Sequence, residues 1–276
     1  MDKYRICIIS PPGYKHTHCF LELALLLKSS FDSLQISCDT SVNELSPDRV
    51  NILLGGNLIQ NFPPLRCFHY IPYQLEQLCN NPNLRGEYID EYLANAAEVW
   101  DYSQENITFL YNRGIHSRYV PVGYHQALEL IPQNVTKEYD VLFYGSIGPR
   151  RSEILKKLEK EGVKVKTVFG IYGPERDQII ARSRIVLNIH FYSAKIFEAV
   201  RVSYLLNNRC FTLSEESAFN PYPEVDLCFT PYEKLVETCL KVLENDSLCE
   251  DNALRCYEQF RDNYPMTGIL KQRLQL

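Results

Sequence analysis

Short apolar runs alternate with longer amphipathic stretches along most of the chain. Short runs rich in Val, Ile, Leu, Phe and Tyr are typical of buried strands, and they predict strands at 4–9, 34–38, 52–56, 66–71, 98–102, 116–120, 139–145, 163–169, 185–189, 210–213 and 227–230. Helical periodicity predicts helices at about 18–28, 88–97, 104–113, 151–161, 195–206, 232–243 and 248–264, with a short helix opening at Pro174. Strands that alternate with helices predict an α/β fold with parallel sheets.

The segment 185–216 carries the first candidate site. The helix predicted at 195–206 is apolar around most of its circumference, as buried helices are. Its charged residues Lys195, Glu198 and Arg201 recur at a spacing that places them on one side, the first two in the opening turns. The free N–H groups and Lys195 attract an anion, whereas Glu198 can accept hydrogen bonds from sugar hydroxyls. This pattern indicates a nucleotide-diphosphate site, although a Lys–Glu pair at the mouth of a buried helix fits the same spacing.

Two sequence motifs carry a family resemblance. The stretches SAKIFEA at 193–199 and CFTLSEE at 210–216 resemble the C-terminal nucleotide-binding motif of GT-B glycosyltransferases, especially the group-1 and CgeB-like branch. The resemblance implies two Rossmann-like parallel-sheet domains facing across a cleft, with Glu198 on the ribose of a nucleotide sugar and basic residues, Lys195 among them, on its diphosphate. The chain departs from the pattern at two places: no glycine ends this helix, and 190–193 lacks the upstream glutamate of the E-x7-E motif.

A glycine-containing loop after the strand at 139–145 supplies a second candidate anion site. It consists of Gly145, Ser146, Arg150 and Arg151. Arginines beside a helix N-terminus favour bound phosphate, and a surface turn with solvated arginines is the competing interpretation. The resemblance further implies that Phe169 and Tyr172 pack on the nucleotide base.

The first half opens like a Rossmann unit but lacks its dinucleotide fingerprint. No G-x-G-x-x-G follows the strand at 4–9, which disfavours an NAD-dependent oxidoreductase. Instead, the loop at 10–18 places Tyr14, Lys15, His16 and His18 at the carboxyl end of the strand, where open parallel sheets bind ligands. If the reaction inverts the anomeric centre, His16 or His18 is the candidate general base. If it retains the configuration, these histidines only position substrate, and a purely structural role competes with both.

The length of 276 residues predicts two domains. In GT-B enzymes a turn like Pro121-Val-Gly-Tyr124 often marks the passage between the halves. The resemblance therefore implies an acceptor-side domain at 1–125 and a nucleotide-sugar-binding domain at 126–276, with a terminal helix that packs back onto the first.

Composition narrows the classes of partner. A net charge of −5 disfavours nucleic-acid binding. The ten cysteines form no C-x-x-C pair and follow no secretory segment, so we expect reduced thiols and a cytoplasmic protein. No apolar run reaches the roughly 18 residues of a membrane span, and no aspartate pair at a strand end suggests a metal.

These features together predict a metal-independent glycosyltransferase. Its donor would be a nucleotide-diphosphate sugar, which acts as substrate and not as cofactor, and its acceptor could be a small molecule, a glycan or a protein. The alternative is a non-catalytic GT-B-like module that binds a nucleotide sugar or a partner. The missing E-x7-E glutamate keeps that alternative open.

Overall fold

The chain divides into two compact units. A computed structural model describes residues 3–59, 63–79 and 86–276. The first unit comprises Met1–His125 and Met266–Leu276, and the second comprises Gln126–Pro265. Within the described residues each unit contains one sheet, and every strand pairing in both sheets is parallel.

The first unit contains a six-stranded sheet. Its strands are β1 (Tyr4–Ile8), β2 (Cys38–Val42), β3 (Val50–Leu54), β4 (Tyr70–Gln74), β5 (Val99–Asp101) and β6 (Ser117–Tyr119). Their order in the sheet is β2-β1-β3-β4-β5-β6. Its helices are α1 (Leu21–Ser33) and α2 (Gln104–Tyr111), with 3-10 turns at Lys15–Phe20, Gly56–Leu58 and Pro63–Cys67 and a π-helix at Tyr88–Leu93. Ser103 caps α2, because its side chain accepts a hydrogen bond from the backbone of Asn106.

The second unit contains a five-stranded sheet. Its strands are β7 (Tyr139–Tyr144), β8 (Val165–Val168), β9 (Ser183–Asn188), β10 (Thr212–Glu215) and β11 (Cys228–Thr230), in the order β11-β10-β9-β7-β8. Its helices are α3 (Pro149–Lys160), α4 (Gly173–Ala181), α5 (Ala199–Asn207), α6 (Leu235–Leu243) and α7 (Asp246–Asn263). Apolar side chains of β7, β9 and β10 pack with those of α3, α6 and α7 into one buried core. The helices thereby cover the sheet, and polar loops lie at its carboxyl edge.

The last helix of the chain belongs to the first unit. This helix, α8 (Met266–Leu274), packs against α1, and Arg273 forms an ion pair with Glu98. Pro265 separates α8 from α7, since proline cannot continue a helix as a backbone donor. The sequence pattern ended the final helix at 264 and missed α8. None of the helices in the described ranges is long and apolar enough to cross a bilayer.

The strand predicted at 34–38 is wrong. Residues 34–36 close α1 instead: Gln35 has a left-handed φ of 58°, and the Ile36 N–H donates to Phe31 O at 3.0 Å. The Ile36 side chain is buried against the end of the helix. An apolar run that ends a helix has the same sequence pattern as a short strand, which explains the wrong prediction. The observed strand β2 begins at Cys38, four residues after the predicted start.

Candidate functional site

The candidate site lies at the carboxyl edge of the second sheet. Strands β10, β9 and β7 are neighbours in that order and run parallel, so the residues that follow them meet at one edge. This arrangement brings together Asn188, His190 and Glu215 with the loop at 145–151 and the segment at 195–201.

Protein groups surround the Glu198 carboxylate. Its Oε2 lies 2.9 Å from Nδ1 of His190 and accepts a hydrogen bond from Nδ2 of Asn188 at 3.1 Å. Its Oε1 accepts a longer hydrogen bond, 3.4 Å, from Nη2 of Arg151. The side chain is 16% exposed. A carboxylate has about four acceptor positions, so capacity remains for a ligand hydroxyl at the exposed edge.

The charge state of Glu198 follows from two opposing effects. Burial by itself raises the pKa, because it disfavours the charged form. The adjacent His190 and the guanidinium groups of Arg201 and Arg151 outweigh burial, and together they lower the pKa of Glu198 below its ordinary value. Glu198 is therefore ionised at neutral pH and can only accept hydrogen bonds.

A second carboxylate, Glu215 at the end of β10, is fully buried and lies beside two positively charged side chains. Its Oε1 forms an ion pair with Arg150 and lies 3.6 Å from Nζ of Lys195. Its Oε2 accepts a hydrogen bond from the backbone N–H of His190 at 3.1 Å. The side chains of Arg150 and Lys195 are still 35% and 43% exposed. Glu215 thus holds two cations in place while both remain accessible from solvent.

Gly145 allows a close approach between the loop after β7 and Arg201. Gly145 has a φ of 128°, and a Cβ atom there would lie 2.8 Å from Nη2 of Arg201. The guanidinium lies 5.3 Å from the ring centroid of Tyr144 and donates to Oδ1 of Asn188 at 2.9 Å. Any larger residue at 145 would displace Arg201 from the site.

Arg151 ties the same loop to the end of β9. It donates to the carbonyl oxygens of Ile189 and Ser146, both at 2.8 Å, and it is buried. Burial and the positive charge of Arg201 lower the pKa of Arg151 to about 10, so it stays protonated at neutral pH. Its donors are therefore directed to protein acceptors, and it fixes the positions of Ser146 and Glu198.

The helix that follows β9 starts later than the sequence pattern predicts. It begins at Ala199, and Glu198 is its N-cap residue without a side-chain capping bond. Lys195 precedes the helix and has a left-handed φ of 50°, stabilised by a hydrogen bond from the Ala218 N–H to its carbonyl at 3.1 Å. The prediction that Lys195 and Glu198 stand in the first turns of one helix is wrong. A turn, and not helical periodicity, brings them to the same edge.

The cluster carries an excess of positive charge. Its cations are Arg150, Arg151, Lys195 and Arg201, and its carboxylates are Glu198 and Glu215. Four cations against two carboxylates leave two positive charges, before any charge on His190 is counted. Such an excess beside a hydrogen-bond acceptor is chemically suited to a diphosphate attached to a hydroxyl-bearing group.

Comparison with known sequences finds relatives but no family. No protein-family model matches the chain. The uncharacterized protein R358 of Acanthamoeba polyphaga mimivirus is 32% identical over 166 residues, which is 57% of this chain and 57% of that protein. A second uncharacterized mimivirus protein is 31% identical over 168 residues, 57% of this chain and 54% of the relative. The chain therefore matches little more than half the length of either relative.

Comparison with solved structures identifies the fold. The β-glucosyltransferase of phage T4 superimposes with a TM-score of 0.60 at 10% identity, covering 99% of this chain and all of that enzyme. AviGT4, a glycosyltransferase involved in avilamycin A biosynthesis, gives 0.59 at 11% identity, covering 98% and 96% of the two chains. TarM gives 0.60 at 11% identity over 83% of this chain and 55% of TarM. The chain has the GT-B glycosyltransferase fold.

Two further predicted residues lie along the same GT-B sheet edge. Phe169 follows β8, the edge strand next to β7, and its ring is 56% exposed. Tyr172 is the N-cap residue of α4. The sheet order thus separates both residues from Glu198 by the width of β7, and their proposed contact with a base stays a prediction.

The predicted histidines belong to the first unit of the GT-B fold. His16 and His18 lie on the 3-10 turn that follows β1. The ring of His16 meets that of Tyr14 edge-on at 5.4 Å between centroids, and His18 is exposed. They stand at the carboxyl edge of the first sheet, and their role as base stays a prediction.

The sequence pattern gave no role to four residues of the cluster, which are Asn188, His190, Arg201 and Glu215. A signal for the first two was present, because both are polar and stand where a buried apolar strand ends. Glu215 had a weaker signal, since acidic residues often follow strands as loop residues. Its burial and its pairing with Arg150 depend on the packing of distant segments and cannot be read from the sequence.

Proposed function

We propose that the chain is a metal-independent glycosyltransferase, related to the group-1 and CgeB-like branch, that transfers a sugar from a nucleotide-diphosphate sugar. The observation that carries the proposal is the ionised Glu198 beside a cluster with two excess positive charges. Proteins of the same fold offer support. The phage T4 β-glucosyltransferase has uridine diphosphoglucose as its substrate, and an α1,3-fucosyltransferase structure, with a TM-score of 0.55, contains GDP-fucose.

In this proposal the second unit binds the donor. Glu198 accepts hydrogen bonds from the ribose hydroxyls, and Arg150 and Lys195 contact the diphosphate with their exposed faces. The loop of Gly145 and Ser146 contributes backbone groups near the phosphates, and Phe169 and Tyr172 pack on the base. Arg151 holds the loop and Glu198 in place by donating hydrogen bonds to the Ser146 carbonyl and the Glu198 carboxylate.

The proposed chemistry depends on charge at the leaving group. When the bond between the sugar and the diphosphate breaks, negative charge grows on the phosphate oxygens. Cations that are already held in place stabilise that charge without reorganisation, which is the largest catalytic effect expected for this reaction. Glu215 supplies the required rigidity, because it holds Arg150 and Lys195 before the donor arrives.

The first unit is proposed to bind the acceptor. If the reaction inverts the anomeric centre, His16 or His18 takes the proton of the acceptor hydroxyl. If it retains the configuration, no dedicated base is required, and the two histidines orient the acceptor. Single replacements of each histidine by glutamine distinguish these cases by their effect on the pH–rate profile.

A second candidate function is a binding module without turnover. His190 occupies the position of the upstream glutamate in the E-x7-E motif, eight residues before Glu198, and it contacts Glu198 instead of offering a carboxylate. A module of this kind would bind nucleotide sugars but would not release the nucleoside diphosphate.

A ligand screen tests the donor site. Thermal unfolding is measured with UDP, GDP, dTDP and NAD. A nucleoside diphosphate at 100 times its dissociation constant should stabilise the protein by about 2.7 kcal/mol, whereas NAD should have little effect. Stabilisation by NAD alone would contradict the proposal in favour of an oxidoreductase.

We expect the Glu198→Ala variant to bind the nucleotide from this screen about tenfold to a hundredfold more weakly, because hydrogen bonds to a charged group are lost. Isothermal titration calorimetry measures the affinity, and circular dichroism checks the fold. The matched control is Glu250→Ala, which removes an exposed carboxylate on α7. Unchanged affinity in Glu198→Ala would refute the ribose assignment.

Turnover separates the enzyme from the binding module. The nucleotide sugar with the best-bound base is incubated with the protein, and the released nucleoside diphosphate is quantified. Slow release that candidate acceptors accelerate indicates a transferase. Tight binding without release over many hours indicates the module.

A further inference from the structure

His190 is a fully buried histidine that joins two strand ends of the second sheet. It is the second residue after the end of β9 at Asn188, and it is 0% exposed. Its backbone N–H donates to Oε2 of Glu215, the last residue of β10, at 3.1 Å. This hydrogen bond fixes the backbone of His190 independently of its ring.

Both ring nitrogens of His190 have neighbours. Nδ1 lies 2.9 Å from Oε2 of Glu198, and Nε2 lies 3.1 Å from Oγ of Ser217 and 3.2 Å from the carbonyl oxygen of Glu216. A proton on Nδ1 would face the carboxylate across this distance. At Nε2 the Ser217 hydroxyl can donate or accept, whereas the Glu216 carbonyl oxygen can only accept. The loop after β10 therefore fixes the ring, and the ring in turn faces Glu198.

Glu198 depends on such support. It is the N-cap residue of α5 but makes no capping bond with its side chain, so the backbone of the helix does not hold the carboxylate. Arg151 donates to Oε1 at 3.4 Å and Asn188 donates to Oε2 at 3.1 Å, whereas Nδ1 of His190 lies 2.9 Å from Oε2. The shortest contact of the carboxylate is therefore with a ring that is itself fixed from the opposite side.

We propose that His190 is a positioning residue that aims the Glu198 carboxylate at the ribose hydroxyls and thereby makes the site select ribonucleoside diphosphates over nucleotides without those hydroxyls. The inference deepens the proposed function and rests on it. His190 does not contact the ligand, and its effect is transmitted through Glu198. Selectivity, and not affinity for the diphosphate, is the property that His190 controls.

The test compares two nucleotides that differ only in the ribose. UDP and 2′,3′-dideoxy-UDP carry the same base and diphosphate, so the ratio of their dissociation constants reports the hydroxyl contacts alone. If the ligand screen favours guanine, GDP and 2′,3′-dideoxy-GDP are used. We expect the wild-type protein to bind UDP about tenfold to a hundredfold more tightly than the dideoxy compound, as hydrogen bonds to a charged group predict.

Three variants separate positioning from folding. His190→Ala should reduce the ratio severalfold, since only Asn188 and Arg151 then hold the carboxylate, while affinity for dideoxy-UDP changes little. His190→Asn should restore much of the ratio, because Nδ2 of asparagine can replace Nδ1 of histidine as donor. Ser217→Ala keeps the buried ring and removes only the hydroxyl at Nε2, so it should lower the ratio partially even if the His190 variants fold poorly.

Each outcome decides between distinct conclusions. A purely structural role of His190 would weaken both nucleotides equally and leave the ratio unchanged, which overturns the inference but not the proposed function. A wild-type ratio near one would overturn the ribose assignment of Glu198 and the inference with it. Failure of the wild-type protein to bind any nucleoside diphosphate would instead refute the proposed function.

Discussion

At the residue scale, Lys195 combines a charge of the candidate site with a left-handed backbone. Its φ is 50°, a region that costs an L-residue roughly 1–2 kcal/mol and that glycine enters freely. At the same time its ammonium lies 3.6 Å from Glu215. Backbone strain at a residue of a candidate site is a common companion of function, because the surrounding structure must enforce it.

The strain and the charge at Lys195 can be separated by two variants. We expect Lys195→Gly to be more stable towards urea than Lys195→Ala by about 1 kcal/mol, because only glycine relieves the left-handed strain. Both variants should lose the same affinity for UDP, since both lack the ammonium. Equal stabilities would contradict the strain, and a difference in UDP affinity would show that the backbone, and not the charge, binds the phosphate.

At the scale of elements, the turn after β3 depends on Gly56. This residue starts the 3-10 turn Gly56–Leu58, and a Cβ atom there would lie 2.2 Å from the hydroxyl oxygen of Tyr92. Tyr92 is fully buried and stacks on the rings of Tyr70 and Tyr88 at 5.5 and 5.2 Å. Because the buried ring packs on two other tyrosines, we expect the turn and the π-helix that carries Tyr92 to constrain each other.

We expect Gly56→Ala to lower the free energy of unfolding by about 3 kcal/mol through overpacking. The matched control is Gly162→Ala. Gly162 ends α3 with a φ of 83° and has open space around the added methyl group, so only backbone strain of about 1 kcal/mol applies. Urea denaturation followed by circular dichroism measures both. Equal losses in the two variants would mean that the cluster of tyrosines yields to the methyl group.

The elements show where sequence patterns suffice. Strand β7 and helix α3 lie close to their predictions, because an apolar run, a proline at the helix start and Gly162 at its end are all local signals. The start of α5 was missed, because the left-handed turn at Lys195 depends on a hydrogen bond from Ala218, which is distant in sequence. Helix α8 was missed because its support comes from α1, at the other end of the chain.

At the scale of the molecule, the fold is more predictable than the site. Alternating strands and helices predict parallel sheets. This chain and the phage T4 enzyme share the GT-B fold although only 10% of their aligned residues are identical. The cluster requires more, because Glu215 meets Arg150 and Lys195 only when β10, α3 and the segment before α5 are packed together. The motif lies at the carboxyl edge of the second sheet, and the packing determines which charges face each other there.

A buried carboxyl group should make the stability of the first unit depend on pH. Asp101, at the end of β5, is fully buried and accepts hydrogen bonds from Gln74, Asn106 and the backbone of Ser103 at 2.9, 3.1 and 2.8 Å. Burial raises its pKa to about 8, although these hydrogen bonds oppose the rise. In the unfolded chain the pKa of an aspartate is about 3.9.

The sign of the effect follows from proton binding. Between about pH 4 and pH 8 the folded state holds a proton on Asp101 that the unfolded state has released, so rising pH destabilises the folded state by at most about 1.4 kcal/mol per pH unit.

Asp101→Asn cannot ionise and should lose this slope. It should be less stable than the wild type at pH 5, because an amide cannot accept all three hydrogen bonds, and the difference should shrink or reverse by pH 8. The fluorescence of Trp100, the single tryptophan and a buried neighbour in β5, reports unfolding of this unit. Parallel pH profiles for the two proteins would show that Asp101 is ionised throughout and that its three donors outweigh its burial.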